Sequence, residues 1–138
     1  MKLPSNVKPK NGIWKIIPFL ATKTAHGIYP NVYLPVNIYN NLKSEHPNPL
    51  YVGLMIHEEE HIKRQRNKPI LWILKYVFNS KFRFEEEIAA DIPRIIYLKS
   101  KNIQFNIDHR AKELSGWLYL WPENYTLTKK RLMKIIKS

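Results

Sequence analysis

Two histidines separated by three residues, with a glutamate beside the first, are the side chains in this sequence best suited to chemistry. They form the motif His57-Glu58-x-x-His61. On a helix this spacing places both imidazoles on one face about one turn apart, so that two ring nitrogens can bind one metal ion. Glu58 can then take a proton from a metal-activated water that attacks a carbonyl, and return it to the leaving amine. The motif therefore predicts a zinc-dependent enzyme that hydrolyses peptide bonds, with Glu58 as the general base.

A catalytic zinc site needs a third protein ligand, and the acidic segment 85–91 offers candidates. Because the chain contains no cysteine, the ligand must be histidine, aspartate or glutamate. Glu87 and Asp91 are again four residues apart on a predicted helix, and small residues between them would permit close helix packing. We expect Glu87 to be the third ligand and Asp91 to orient a ligand histidine through a hydrogen bond. Glu86 remains an alternative ligand, since the choice depends on the rotation of that helix.

The elements that carry these side chains follow from hydrophobic spacing and turn residues. Residues 13–39 mix β-branched and aromatic residues with glycine and proline, which predicts two or three short strands. Residues 28–34 are predicted to form an edge strand, because prolines 30 and 35 would remove hydrogen-bond donors from a central one. Five helices are predicted over residues 50–66, 69–78, 82–99, 107–114 and 128–136. The predicted fold class is α+β, mostly helical, with a small β-rich part at the N-terminus.

Three details of these helices are predicted as well. Residues 69–78 are the longest apolar run, too short to span a membrane, and are interpreted as a buried core helix; a helix that lies on a membrane surface is the alternative. Pro93 is expected to kink or divide the helix over 82–99. Thr128 is expected to cap the last helix.

Length and composition bound the class of protein. The chain has 138 residues, of which 44% are hydrophobic, so we expect one folded domain over residues 1–138. Residues 1–11, rich in lysine, proline and asparagine, are predicted to be an extended arm before the first packed residue, Ile13. The N-terminus shows no convincing secretion signal, which favours a cytoplasmic protein.

The net charge of +12 leaves two alternatives to a peptidase. One is a non-catalytic metal-binding protein, which Glu58 disfavours, because a structural site has no use for an acid beside its ligand. The other is a basic protein that binds nucleic acid or a membrane surface. Nucleic acid is disfavoured because the tryptophans fall in apolar segments, where core packing accounts for them. The basic residues are spread along the chain and are densest at Lys63, Arg64, Arg66 and Lys68.

The histidine motif and the acidic motif together resemble those of the gluzincin metallopeptidases. His57-Glu58-x-x-His61 is followed on another predicted helix by Glu87-x-x-x-Asp91, and the similarity covers about residues 50–91. The compactness of the chain is most similar to the minigluzincins, the small single-domain members. This resemblance implies a zinc peptidase acting on a peptide or protein substrate, which an upper-rim strand over residues 28–34 would bind in extended form. It also implies latency, either through the C-terminal segment 126–138 or through self-association.

Gluzincins further use a tyrosine or histidine to stabilise the oxyanion of the tetrahedral intermediate. In this chain the resemblance offers His109, Tyr119 and Tyr125 as candidates. Core packing is the alternative for Tyr119, which lies in the aromatic run 117–121, and a surface position is the alternative for His109.

Overall fold

The fold is taken from a computed structural model, which describes residues 1–12, 24–116 and 123–138. Contacts between residues divide the chain into two compact units, a first unit, Met1–Pro69, and a second unit, Ile70–Ser138. The described residues form a small three-stranded sheet near the N-terminus and six helices. The predicted α+β, mostly helical fold class is thus confirmed, whereas the single domain over residues 1–138 stays a prediction.

The sheet of the first unit consists of strands β1 (Val7–Pro9), β2 (His26–Ile28) and β3 (Asn31–Leu34). Among the described residues their order is β1-β3-β2, with β3 parallel to β1 and antiparallel to β2. Alternate residues of β3, Val32 and Leu34, are fully buried and form the core side of the strand.

The prediction of an edge strand over residues 28–34 is wrong. Residues 29 and 30 form the turn between β2 and β3, and Pro35 follows β3, so neither proline takes a position in the ladder. β3 is paired on both sides and lies in the centre of the described sheet. It therefore cannot receive an added peptide strand, and the outer strands of the described sheet are β1 and β2.

The N-terminal arm is extended, but it is also packed. β1 lies within it, Val7 and Lys10 are buried, and the Lys10 amide donates to the Leu34 carbonyl at 2.8 Å. The expectation that packing begins at Ile13 is therefore wrong, because the arm pairs in parallel with β3 and buries Val7 and Lys10. Ile13 itself lies outside the described residues.

Two helices follow the sheet in the first unit. Helix α1 (Val36–Lys43) was not predicted; it is short, rich in asparagine and buries only Leu42. Helix α2 (Pro49–Gln65) confirms the helix predicted over residues 50–66. Its N-terminus is capped by Asn48, whose side chain accepts a hydrogen bond from the Leu50 amide at 2.9 Å.

The second unit continues with helices α3 (Pro69–Phe78), α4 (Ser80–Ser100), α5 (Ile107–Leu114) and α6 (Tyr125–Lys137). The bounds predicted for α3 and α5 are confirmed. Helix α4 runs through Pro93 without division, so the expected division is wrong, whereas a kink at Pro93 stays a prediction. Thr128 is not the cap of α6: the Asn124 side chain accepts from the Leu127 amide, and the buried Thr128 hydroxyl donates to the Asn124 carbonyl.

The apolar core of the second unit is formed by α4, α5, α6 and the segment between α4 and α5. Its buried members are Phe84, Ile88, Ile95, Leu98, Phe105, Ala111, Leu114 and Leu132. Helix α4, which carries the acidic segment, is thereby held on one side by apolar contacts.

Helix α3 contradicts the interpretation as a buried core helix. None of its residues is buried, and Ile70 and Phe78 are 75% and 82% exposed. The physical reason is that α3 contacts α4 through Trp72 and Tyr76, which turns its aliphatic residues outwards. No helix in the described part of the chain is long and apolar enough to cross a membrane.

Candidate metal centre

The two histidines of the motif lie side by side on α2. Both are buried, and their Nε2 atoms are 3.1 Å apart. The rings meet edge to face, with centroids 4.7 Å apart and planes at 85°. Helical i,i+4 spacing produces this convergence, as the sequence predicts.

This geometry fits two ligands of one zinc ion. Tetrahedral coordination with Zn–N bonds of about 2.05 Å places two ligand nitrogens about 3.3 Å apart. The observed separation of 3.1 Å between the Nε2 atoms of His57 and His61 is close to that value. The same separation also permits a hydrogen bond in which one of the nitrogens carries the proton. The donor set therefore suits a metal without being strained in its absence.

Strand β2 approaches the motif closely at Gly27. A Cβ atom on this residue would lie 2.6 Å from the Glu58 carbonyl oxygen and 3.3 Å from the His61 Cβ. Only glycine permits this approach, because the first of these contacts is with backbone that cannot rotate away. At the end of α2, the Gln65 side chain donates to the Gly27 carbonyl at 2.7 Å and accepts from the Tyr29 amide at 2.9 Å. The motif helix is thus joined to β2 and to the turn that follows it.

A buried lysine lies near the proposed general base. The Lys10 ammonium donates to the Thr24 carbonyl and is hydrogen-bonded to His26 Nδ1. Burial lowers the pKa of Lys10 to about 8, and the nearby negative charge of Glu58 opposes part of that shift. Glu58 itself is buried on α2. This lysine was missed in the sequence because it belongs to an arm that was expected to be unpacked.

In the second unit, the predicted acidic ligand and its helix neighbour are bound by the same arginine. Arg110 of α5 donates from Nη2 to Glu87 Oε2 at 2.8 Å and from Nε to Asp91 Oδ2 at 2.6 Å. The other oxygen of Glu87, Oε1, accepts from the Tyr76 hydroxyl. All three charged groups are buried. Within this unit, Asp91 therefore orients Arg110, and its predicted hydrogen bond to a ligand histidine stays a prediction.

The neighbouring glutamates have different partners. Glu86 is buried and accepts a hydrogen bond at 2.9 Å from Trp72 Nε1, which is stacked on Tyr76. Glu85 forms an ion pair with Arg131 near the surface, and the hydrogen bonds from Arg131 lower the pKa of Glu85. The segment thus holds three consecutive carboxylates in three distinct environments.

The oxyanion candidates are only partly described. His109 is exposed, as its alternative interpretation expects, and its Nε2 lies 3.3 Å from Glu113 Oε1. The Tyr125 hydroxyl donates to Asp108 at 2.7 Å, and this hydrogen bond raises the pKa of Tyr125. Tyr119 lies outside the described residues. An oxyanion role for any of them stays a prediction.

Arg110 and Tyr76 are functional candidates that the sequence interpretation missed. A signal for Arg110 was present, since it shares the spacing of Ile107, Ala111 and Leu114 on the buried face of α5. A charged residue on a buried face requires a partner of opposite charge. No comparable signal marks Tyr76, because an aromatic residue in an apolar helix is ordinarily explained by packing.

Gly27→Ala is expected to destabilise the protein and to weaken metal binding. The added methyl group must displace the α2 backbone at Glu58, at a cost of about 1–3 kcal/mol in the free energy of unfolding. Urea denaturation and zinc titration measure the two effects. Gly12→Ala is the matched control: its positive φ strains alanine, but no atom lies within 4 Å of the new Cβ. Equal zinc affinities for the two variants would contradict the close approach.

Lys10→Met is expected to remove a pH-dependent part of the stability. The folded pKa of about 8 lies below the ordinary value of 10.5. Between these values the unfolded chain binds more protons than the folded protein, so Lys10 makes the free energy of unfolding rise with pH. Below that range both states are protonated, and the cost of burying the charge is fully present.

Urea denaturation of the wild type, Lys10→Met and Lys8→Met at about pH 7 and about pH 10 tests this. The wild type should gain stability relative to Lys10→Met as pH rises. The exposed Lys8 serves as the control, and Lys8→Met should follow the wild type. Parallel curves for the wild type and Lys10→Met would show that the ammonium is solvated.

Arg110→Met is expected to lower the free energy of unfolding by about 3–5 kcal/mol, because it removes a closely bonded cation from two buried carboxylates. Asp91 keeps the longer ion pair with Arg94 at 3.7 Å. The matched control is Arg131→Met, which removes an ion pair whose side chains are 39% and 45% exposed. That change should cost no more than about 1 kcal/mol. Urea denaturation of both variants gives the comparison, and similar losses would mean that Arg110 is not the main charge partner of these carboxylates.

In comparisons with known proteins, no protein-family model, no curated protein and no solved structure matches the chain.

Proposed function

We propose that this protein is a zinc-dependent metallopeptidase of the gluzincin type, most similar to minigluzincins. In this proposal His57, His61 and Glu87 bind the metal and Glu58 is the general base. The observation that carries the proposal is that the Nε2 atoms of two buried histidines on one helix lie 3.1 Å apart. A glutamate, Glu58, directly follows the first of these histidines. A structural metal site would not need that glutamate.

The choice of Glu87 as third ligand is supported by its surroundings. It is buried, as are both histidines, and each of the three side chains offers one ligand atom. Both carboxylate oxygens of Glu87 accept hydrogen bonds, from Tyr76 and Arg110, and metal-ligating carboxylates are commonly held in this way. Glu86 is directed to Trp72 instead. We therefore favour Glu87 over Glu86.

Three protein ligands leave one coordination position for water or substrate. A bound zinc ion would supply a Lewis acid that polarises the scissile carbonyl and acidifies the attacking water. Glu58 follows His57 directly on α2, so it can receive the proton from that water and deliver it to the leaving amine. Two histidines and a glutamate form a donor set that is usual for this chemistry.

The substrate is proposed to be an extended peptide or protein segment. Such segments commonly bind by adding a strand to an open sheet edge. Since β3 is central, the role implied for residues 28–34 falls to β2, an outer strand of the described sheet that contacts α2 at Gly27. A peptide on β2 would run past the helix that carries the general base.

Latency through residues 126–138 remains part of the proposal. This segment belongs to α6, which buries Thr128 and Leu132 in the second unit. Deleting it would therefore expose core residues, and a test of latency must keep the helix. Self-association is the other proposed route to latency.

The first test of this function is zinc content by plasma mass spectrometry together with a quenched-peptide cleavage assay. We expect about one zinc per chain in the wild type, as for a site with three protein ligands. His57→Ala should lose both the metal and cleavage. Glu58→Gln should keep the metal and lose cleavage, because the amide cannot accept the proton from water.

A matched pair of variants tests the third ligand. Glu87→Gln should weaken zinc affinity by more than the roughly 10–100-fold that loss of an outer partner costs. Glu86→Gln, the adjacent change in the same helix, should leave affinity within that range. Metal bound with no cleavage in any assay would favour the non-catalytic metal-binding protein, and no bound metal after zinc supplementation would overturn the proposal.

A further inference from the structure

Helix α3 carries an apolar surface that nothing in the metal-site proposal uses. We name this surface the α3 face and define it by Ile70, Leu71, Ile73, Leu74, Val77 and Phe78, all of which are exposed. At 100° per residue these six side chains occupy about 160° of the helix circumference. An exposed apolar surface of this kind commonly marks a binding site for a protein or a membrane.

The orientation of α3 is fixed by polar bonds on its other side. Trp72 donates to Glu86 at 2.9 Å, and the Tyr76 hydroxyl donates to Glu87. Arg83 donates to the carbonyls of Tyr76 and Val77 at 2.6 and 3.1 Å. These bonds all lie within the second unit and hold the aromatic side of α3 towards α4. The aliphatic side is therefore presented outwards by specific contacts.

The chain on either side of α3 carries charge of a single sign. From His61 to Phe84 the sequence contains seven lysines and arginines and no aspartate or glutamate. Lys68 directly precedes the helix, and Lys75 lies at the border of the face, with its ammonium 5.8 Å from the centre of the Phe82 ring. A long lysine side chain at such a border can lie along the apolar surface while its charge reaches the lipid headgroups.

We propose that the α3 face binds the surface of an anionic membrane. A helix of ten residues is about 15 Å long, half of what is needed to span the hydrocarbon core, so it must lie along the interface. An apolar arc bordered by basic residues is the pattern of interfacial helices, which insert their apolar side and attract anionic headgroups. This proposal is independent of the metal site.

Two other occupants fit the observations less well. A second copy of the chain would bring two sets of basic residues together, and like charges across an interface oppose association. An acidic protein would match the charge, but protein interfaces also need regular hydrogen bonds. The side chains of the α3 face offer no hydrogen-bonding group.

The test measures binding of the full chain to phosphatidylcholine vesicles with and without phosphatidylglycerol. Partitioning should be much stronger onto the anionic vesicles. Ile70→Gln/Phe78→Gln should reduce it by at least about tenfold, because two large apolar side chains no longer enter the lipid. Lys68→Gln and Lys75→Gln should each reduce it about fivefold. The matched control is Ile96→Gln, which changes an isoleucine of α4 that is 63% exposed and should bind like the wild type.

A site-specific label keeps the test decisive if a glutamine variant folds poorly. The chain has no cysteine, so Phe78→Cys and Ile96→Cys each provide a unique site for an environment-sensitive fluorophore. On anionic vesicles the fluorescence emission of the label at residue 78 should shift to shorter wavelength, and the emission of the label at residue 96 should not.

Three outcomes would overturn the proposal. One is equal partitioning of the wild type and the Ile70→Gln/Phe78→Gln variant. Another is a dimer in solution that this variant abolishes, which would assign the face to a second copy. The third is binding to polyglutamate, but not to vesicles, that depends on Ile70 and Phe78, which would assign the face to an acidic protein. The vesicle-binding assays are run with and without added zinc, so that failure of membrane binding can be distinguished from failure of the metal site.

Discussion

The requirement that buried charge be compensated governs this structure more than any other constraint. Arg110 binds both Glu87 and Asp91, and it does so from a face of α5 that is otherwise apolar. Removing a charge from water costs several kcal/mol unless a partner replaces the solvent. The arginine therefore allows α4 to carry two carboxylates among core residues, and the same arrangement fixes the carboxylate proposed to bind metal.

The motif helix meets the same constraint in a different way. His57 and His61 are buried on α2, and Gly27 of β2 lies against the backbone of that helix, where any side chain would collide with Glu58. Two neutral imidazoles can share one proton or one cation between their nitrogens. A position that favours a cation is thus produced by helical spacing, and the proposed general base follows His57 directly.

Local features of the fold and site could be predicted from the sequence, whereas features set by distant contacts could not. The convergence of His57 and His61 depends only on helical spacing, and α3 begins and ends at the predicted residues for the same reason. The central position of β3 depends on where the prolines lie relative to the turn, which the pattern of residue types does not define. Lys10 was missed because its burial requires β1 to pair with a strand more than twenty residues away.

Helix α3 shows why hydrophobicity alone does not define burial. Its aromatic residues with hydrogen-bond donors, Trp72 and Tyr76, bind carboxylates of α4 and so face that helix. The helix therefore turns its aromatic hydrogen-bond donors inward and its aliphatic residues outward. The apolar surface is thus a consequence of how the acidic segment of α4 is held, whether or not Glu87 binds a metal.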